Sequence, residues 1–136
     1  MPSEIQNEAY ERLKELVKRI QYDPVAFKCG AMPNRCMVNV ALWTKLRQDD
    51  IAVPGWLYYA GMFIWHWVVK DKDGNLFDIT PINGEANERI ADREFIEDHG
   101  SGAEFCMRKG WDVKPLDFER AAAVLASVLR PDTPAP

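Results

Sequence analysis

Three side chains in this sequence have the chemistry of a nucleophile, a base and an orienting acid: Cys36, His66 and Asp78. Cys36 follows Pro33-Asn34-Arg35 and opens an apolar run. His66 lies within Met62-Phe63-Ile64-Trp65-His66-Trp67-Val68-Val69, and Asp78 within Asn75-Leu76-Phe77-Asp78-Ile79-Thr80. A thiol attacks only as thiolate, and at its ordinary pKa of about 8.5 only a few per cent is in that form at neutral pH. An imidazole beside it would take the proton and later deliver it to a leaving amine. A carboxylate would hold that imidazole in one tautomer and stabilise its positive charge. With Asn34 as the expected N-cap, Cys36 falls in a first helical turn, where unpaired N–H groups and the positive end of the dipole favour an anion. The Cys36 backbone N–H, with the Asn34 side chain as a weaker candidate, would then donate to a developing oxyanion.

These groups need elements to bring them together. Ile5, Ala9, Leu13, Leu16, Val17 and Ile20 recur at helical spacing after a Ser3–Gln6 capping box, which predicts a helix from about Glu4 to Gln21. Tyr22 to Pro33 carries Asp23-Pro24 and Gly30 and reads as a loop leading to Cys36. A second helix follows, with Met37, Val38, Val40, Ala41, Leu42 and Leu46 as its apolar surface, ending near Gln48. Trp56 to Ala60, Met62 to Lys70 and Asn75 to Thr80, rich in aromatic and β-branched residues, read as strands. Ile90 to Glu97 is expected as a short helix, Phe105 to Val113 as holding one more strand, and Asp117 as capping a last helix through Leu129.

The turn at Asp71-Lys72-Asp73-Gly74 decides whether His66 and Asp78 can meet. A two-residue Asp73-Gly74 turn would pair Asp78 with Val69 and put the two side chains on opposite faces. A three-residue loop, a type I turn with Gly74 in the left-handed region, instead pairs Asp71 with Asn75 and Val68 with Asp78. His66 then lies on the same face as Asp78, as its diagonal neighbour about 7 to 8 Å away by backbone. In either register Phe63, Trp65, Trp67 and Val69 occupy the face opposite His66, the expected packing face against a helix. Trp56 and Tyr58 are candidates for the wall of a substrate cleft.

A Cys at a helix start, then a strand with His followed by Trp-Val, then an adjacent strand with Asp in an Asp78-Ile79-Thr80-Pro81 setting, resembles the transglutaminase-like branch of the papain-like cysteine enzymes. The resemblance covers roughly Pro33 to Pro81. It implies Cys36 as nucleophile, His66 as base and acid, Asp78 as orienter, and acyl transfer on a peptide or protein amide without a cofactor. Many papain-like enzymes place an oxyanion-hole Gln six positions before the nucleophile; Gly30 stands there in this chain.

Composition excludes several other classes. The 136 residues suit one domain, expected over 1–130 with a Pro-rich tail at 131–136, and 47% are hydrophobic, so disorder is not the default. A formal net charge of −4 with scattered Lys and Arg gives no reason to expect nucleic acid. Without a basic-then-apolar leader or a run of about 20 apolar residues, the expectation is a cytoplasmic protein with no membrane partner. Cys29, Cys36 and Cys106 make an odd count, for which reduced thiols are the simpler reading, although a Cys29–Cys36 bridge is open. Zinc held by these three and His66 would need closer cysteine pairs than six intervening residues, so no metal is expected. His99, Asp49, Asp50, Glu94, Glu97 and Asp98 read as solvated surface.

The sequence thus predicts a single α+β domain: N-terminal helices, one bearing Cys36, packed on a small antiparallel sheet and closed by a C-terminal helix. The competing expectation is a non-catalytic interaction module, an effector or inhibitor, that keeps this fold with an idle Cys36.

Overall fold

The computed structural model describes residues 6–23, 35–81, 93–100 and 102–129. Four helices and six strands among them run in the order α1 (Glu8–Leu16), β1 (Lys18–Tyr22), α2 (Cys36–Leu46), β2 (Ile51–Tyr59), β3 (Met62–Lys70), β4 (Leu76–Asp78), β5 (Arg93–Glu97), α3 (Gly102–Lys109), β6 (Asp112–Val113) and α4 (Phe118–Val128). The fold is mixed α+β with helices on a sheet. None of the described helices is long and apolar enough to cross a membrane.

The sheet departs from the expected small antiparallel one. Its strand order is β2-β5-β1-β4-β3-β6, and β2 also pairs with β3, so five strands close on themselves as a barrel. Closure runs through a short parallel pairing, Gln21 with Phe77 and Tyr22 with Asp78. Two of these strands replace expected helix. The first helix stops at Leu16, because Val17 turns extended at ψ 144°, and Lys18–Tyr22 leaves as a strand that buries Ile20 and Tyr22. Ile20 fits a helical spacing with Leu16 and Val17, but it equally fits the alternation of Ile20 and Tyr22, and strand partners on both sides decide between them. Arg93–Glu97 is likewise a strand, held between β1 and β2. Conversely, Gly102–Lys109 is helical although a strand was expected within Phe105 to Val113, and β6 contributes only two residues.

Directly paired residues share a face, so the register sorts the barrel into inside and outside. Gly55 pairs with His66, Val53 with Val68 and Leu57 with Ile64; Ile20, Val53, Val68 and Phe95 form the interior cluster. The opposite face carries Trp56, Phe63 and Trp65, which pack with Tyr10 and Leu13 of α1, Cys106 of α3, and Ala121, Val124 and Val128 of α4. On the same outer side, Val40 of α2 packs on Val69 and Ile79. The α2 surface turned inward carries Asn39 and Val40, whereas Met37, Val38, Leu42 and Leu46 of the expected apolar face are exposed.

Candidate active site

The β3–β4 hairpin adopts the three-residue loop. Val69 pairs with Phe77 and Lys70 with Leu76, the Asp71 N–H donates to the Asn75 carbonyl at 2.9 Å, and Gly74 sits at φ +88°. Asp71 Oδ1 fastens the loop by accepting the N–H groups of Asp73 and Asn75, both at 2.9 Å. His66 and Asp78 therefore both face the barrel interior. His66 Nε2 and Asp78 Oδ2 are 2.9 Å apart, with His66 7% and Asp78 0% exposed.

Cys36 reaches this pair through a gap in the sheet. One edge of β3 is covered by β2 along its whole length. The other edge has β4 at Val69 and Lys70 and β6 at Phe63 and Ile64, with no strand pairing between those two stretches among the described residues. Trp65 donates its N–H out of that edge, to the Trp111 carbonyl at 2.9 Å, and by strand alternation Trp67 points its N–H the same way, into the gap. There it acts, together with the His66 ring, on the half-buried Cys36 thiol, both favouring the thiolate. Since Nε2 is engaged by Asp78, Nδ1 is the nitrogen left to face sulfur.

The electrostatics follow from these contacts. Burial alone would raise the Cys36 pKa, but the hydrogen bond and charge of His66, with the Trp67 N–H, outweigh it and hold the thiol below its usual value. Burial alone would lower the imidazole's pKa; the charge and hydrogen bond of Asp78, reinforced by Cys36, instead push it up to about 10. The two shifts have opposite sign, as a thiolate–imidazolium pair requires. Cys106 behaves oppositely: burial, with the charge of Asp98 adding, pushes it up to about 12.

The remaining site candidates fall elsewhere. Trp56 pairs across the sheet with Trp65, on the face away from His66; it is fully buried and donates Nε1–H to Asp98 at 3.0 Å. It is core, not a cleft wall. Tyr58 points the same way and packs on Phe63, with centroids 4.8 Å apart. Asn34 and Cys29 lie outside the described residues, and the N-cap position of α2 belongs to Arg35, whose side chain makes no capping bond. Asp98 is not solvated surface: it is buried, accepting also from Ser127 Oγ at 2.7 Å and from the N–H groups of Gly100 and Gly102 at the start of α3.

Sequence reasoning missed two members of the site. Arg93, 4% exposed, donates Nε–H to Asp78 Oδ2 at 3.3 Å. Thr80, fully buried, donates its N–H to Asp78 Oδ1 at 3.1 Å and accepts Asn39 Nδ2–H at 3.0 Å, tying the carboxylate to α2. The Thr80 link was visible as an Asx-type spacing two residues after Asp78; Arg93 lay in a segment read as helix. A groove of about 810 Å³ opens between β1 and β4 beside Tyr22, but neither Cys36 nor His66 lines it. Among the described residues no cluster of three or more His, Cys, Asp or Glu is placed to hold a metal ion.

No protein-family model, curated protein or solved structure matches this chain. What the site can do is therefore decided by its own geometry and charge.

Proposed function

We propose that this protein is a cysteine-dependent acyl-transfer enzyme acting on an amide, of the kind its sequence resembles among transglutaminase-like and papain-like enzymes. The observation that carries this reading is His66 set between the Cys36 thiol, whose pKa it lowers, and Asp78 at 2.9 Å, with thiol and imidazole pKa values moved in opposite directions. The Cys36 thiolate attacks the amide carbonyl, and the N–H groups near the start of α2 receive the oxyanion. The C–N bond breaks as the His66 imidazolium gives its proton to the leaving nitrogen, leaving a thioester on Cys36 and a neutral imidazole. His66 then takes a proton from water or from an acceptor amine as that nucleophile attacks the thioester. The acid or new amide is released, and the thiolate–imidazolium pair is restored. Asp78 stays ionised throughout and holds the ring.

The test is acylation by p-nitrophenyl acetate, an activated donor that requires no knowledge of the natural substrate. The expected result is a burst of p-nitrophenolate with acetyl found on Cys36 by peptide mass spectrometry, and loss of both in a folded Cys36→Ala protein. Absence of Cys36 acylation in the folded wild type, with ordinary thiol reactivity, would reject the enzymatic reading in favour of an interaction module.

A further inference from the structure

Asp78 Oδ2 has two partners that compete for one oxygen: His66 Nε2 at 2.9 Å and Arg93 Nε at 3.3 Å. Both partners are buried, as is the carboxylate. The Arg93 guanidinium is itself held, with Cζ 4.3 Å from the centroid of Tyr22, the residue paired with Asp78 across the β1–β4 closure. A carboxylate buried with only His66 for a partner would hold the imidazole's proton tightly, because releasing it would strand an unpaired anion in the protein interior. A permanent cation on the same oxygen removes that penalty. The His66 proton must leave once per turnover, so its release is where such a cation has a consequence.

From this shared oxygen we infer that Arg93 is a positioning residue that keeps Asp78 paired whether or not His66 is protonated, and so sets how readily the imidazole gives up its proton. The inference rests on the acyl-transfer reading for its consequence, but the charge coupling stands independently of it. Among the described residues, the charged and titratable groups around His66 are Cys36 from α2, Asp78 from β4, Arg93 and Glu97 from β5, and Tyr22 from β1; Glu97 is engaged by Lys70 of β3 at 3.5 Å. Among these, Arg93 is the cation bonded to the histidine's own partner.

The measurement is the NMR titration of the His66 Cε1–H in the Cys36→Ala background, where no thiolate complicates the midpoint. The sequence has two histidines, and exposed His99 serves as the internal reference. Adding Arg93→Met should raise the His66 midpoint by about one unit, whereas Arg93→Lys, which retains the charge, should leave it within a few tenths. An unmoved midpoint in folded Arg93→Met overturns the inference. Should that variant not fold, Tyr22→Leu, which removes only the ring under the guanidinium, takes its place: a smaller upward shift supports the inference and an unchanged midpoint overturns it. Failure of the acyl-transfer reading appears separately, as ordinary reactivity of Cys36 in the wild type.

Discussion

His66 Nε2 lies 2.9 Å from Asp78 Oδ2 because the hairpin joining their strands turns through three residues. Gly74 is at φ +88°, so Val68, not Val69, stands opposite Asp78, and the diagonal neighbour of Asp78 on the interior face is His66. Across β2, the position facing His66 is Gly55, where a side chain would enter the space of the Phe95 ring and the Ile96 carbonyl. Two glycines thus serve the site for different reasons, one by dihedral angle and the other by volume.

That difference is measurable. A Cβ at Gly74 meets nothing within 4 Å, so Gly74→Ala should cost only the left-handed strain, about 1 kcal/mol, with the pH dependence of Cys36 alkylation unchanged. Gly55→Ala should cost more, about 3 kcal/mol, since backbone must move to admit the methyl. Urea denaturation of both variants checks this; equal losses would contradict it.

The thiols should separate by pH. Cys36 is held below the ordinary thiol range, whereas Cys106, pushed up to about 12 in the core, has about one thiolate in 10⁵ at neutral pH. Iodoacetamide at pH 6 should therefore label Cys36 at least about tenfold faster than Cys106 in the folded protein. Peptide mass spectrometry over time decides it, and equal rates would refute the ion pair.

How much of this was legible in the sequence depends on whether the signal was local. The turn chemistry of Asp71 to Gly74 narrowed the His66–Asp78 register to two choices, because both strands carry strong alternation and the loop has a short list of conformations, and the strand pairing chose the three-residue loop. The α2 start at Cys36 was local as well. Arg93 was not legible, since a buried arginine in Arg93-Glu94-Phe95-Ile96-Glu97 looks like surface until Asp78 and Tyr22 stand beside it. The barrel closure was equally hidden: Lys18–Tyr22 satisfies helix and strand spacing alike, and only the edges of β4 and β5 choose. Trp56 and Tyr58 turn away from His66 because the β2 register is fixed by pairing with β3, which a local reading does not show.

Asp98 provides a control outside the relay. It collects Trp56, Ser127 and the N–H groups opening α3, so Asp98→Ala leaves several buried donors unsatisfied and should cost about 3 kcal/mol. The Cys36 alkylation profile should keep its shape in the folded fraction. A changed profile would mean that the outer-face network reaches the thiol.

Asp78→Asn should weaken both reactivity and stability, and the stability part depends on pH in a defined direction. The folded His66 pKa, about 10, is above the unfolded value of about 6.5. Its contribution is therefore complete below about pH 6.5 and is lost as pH rises through about 10. Cys36 runs the other way: held low, it contributes fully above its unfolded value and loses that contribution as pH falls through its folded one. Because Asp78 is the main source of the histidine shift, its replacement should cost about 3 kcal/mol at pH 6, where Arg93 and the imidazolium would share a buried site without their anion. The loss should shrink toward pH 10, where the wild-type imidazole also releases its proton. Urea melts of wild type and Asp78→Asn at pH 6, 8 and 10 measure the difference; one that stays constant or grows with pH would show that Asp78 does not stabilise a charged His66.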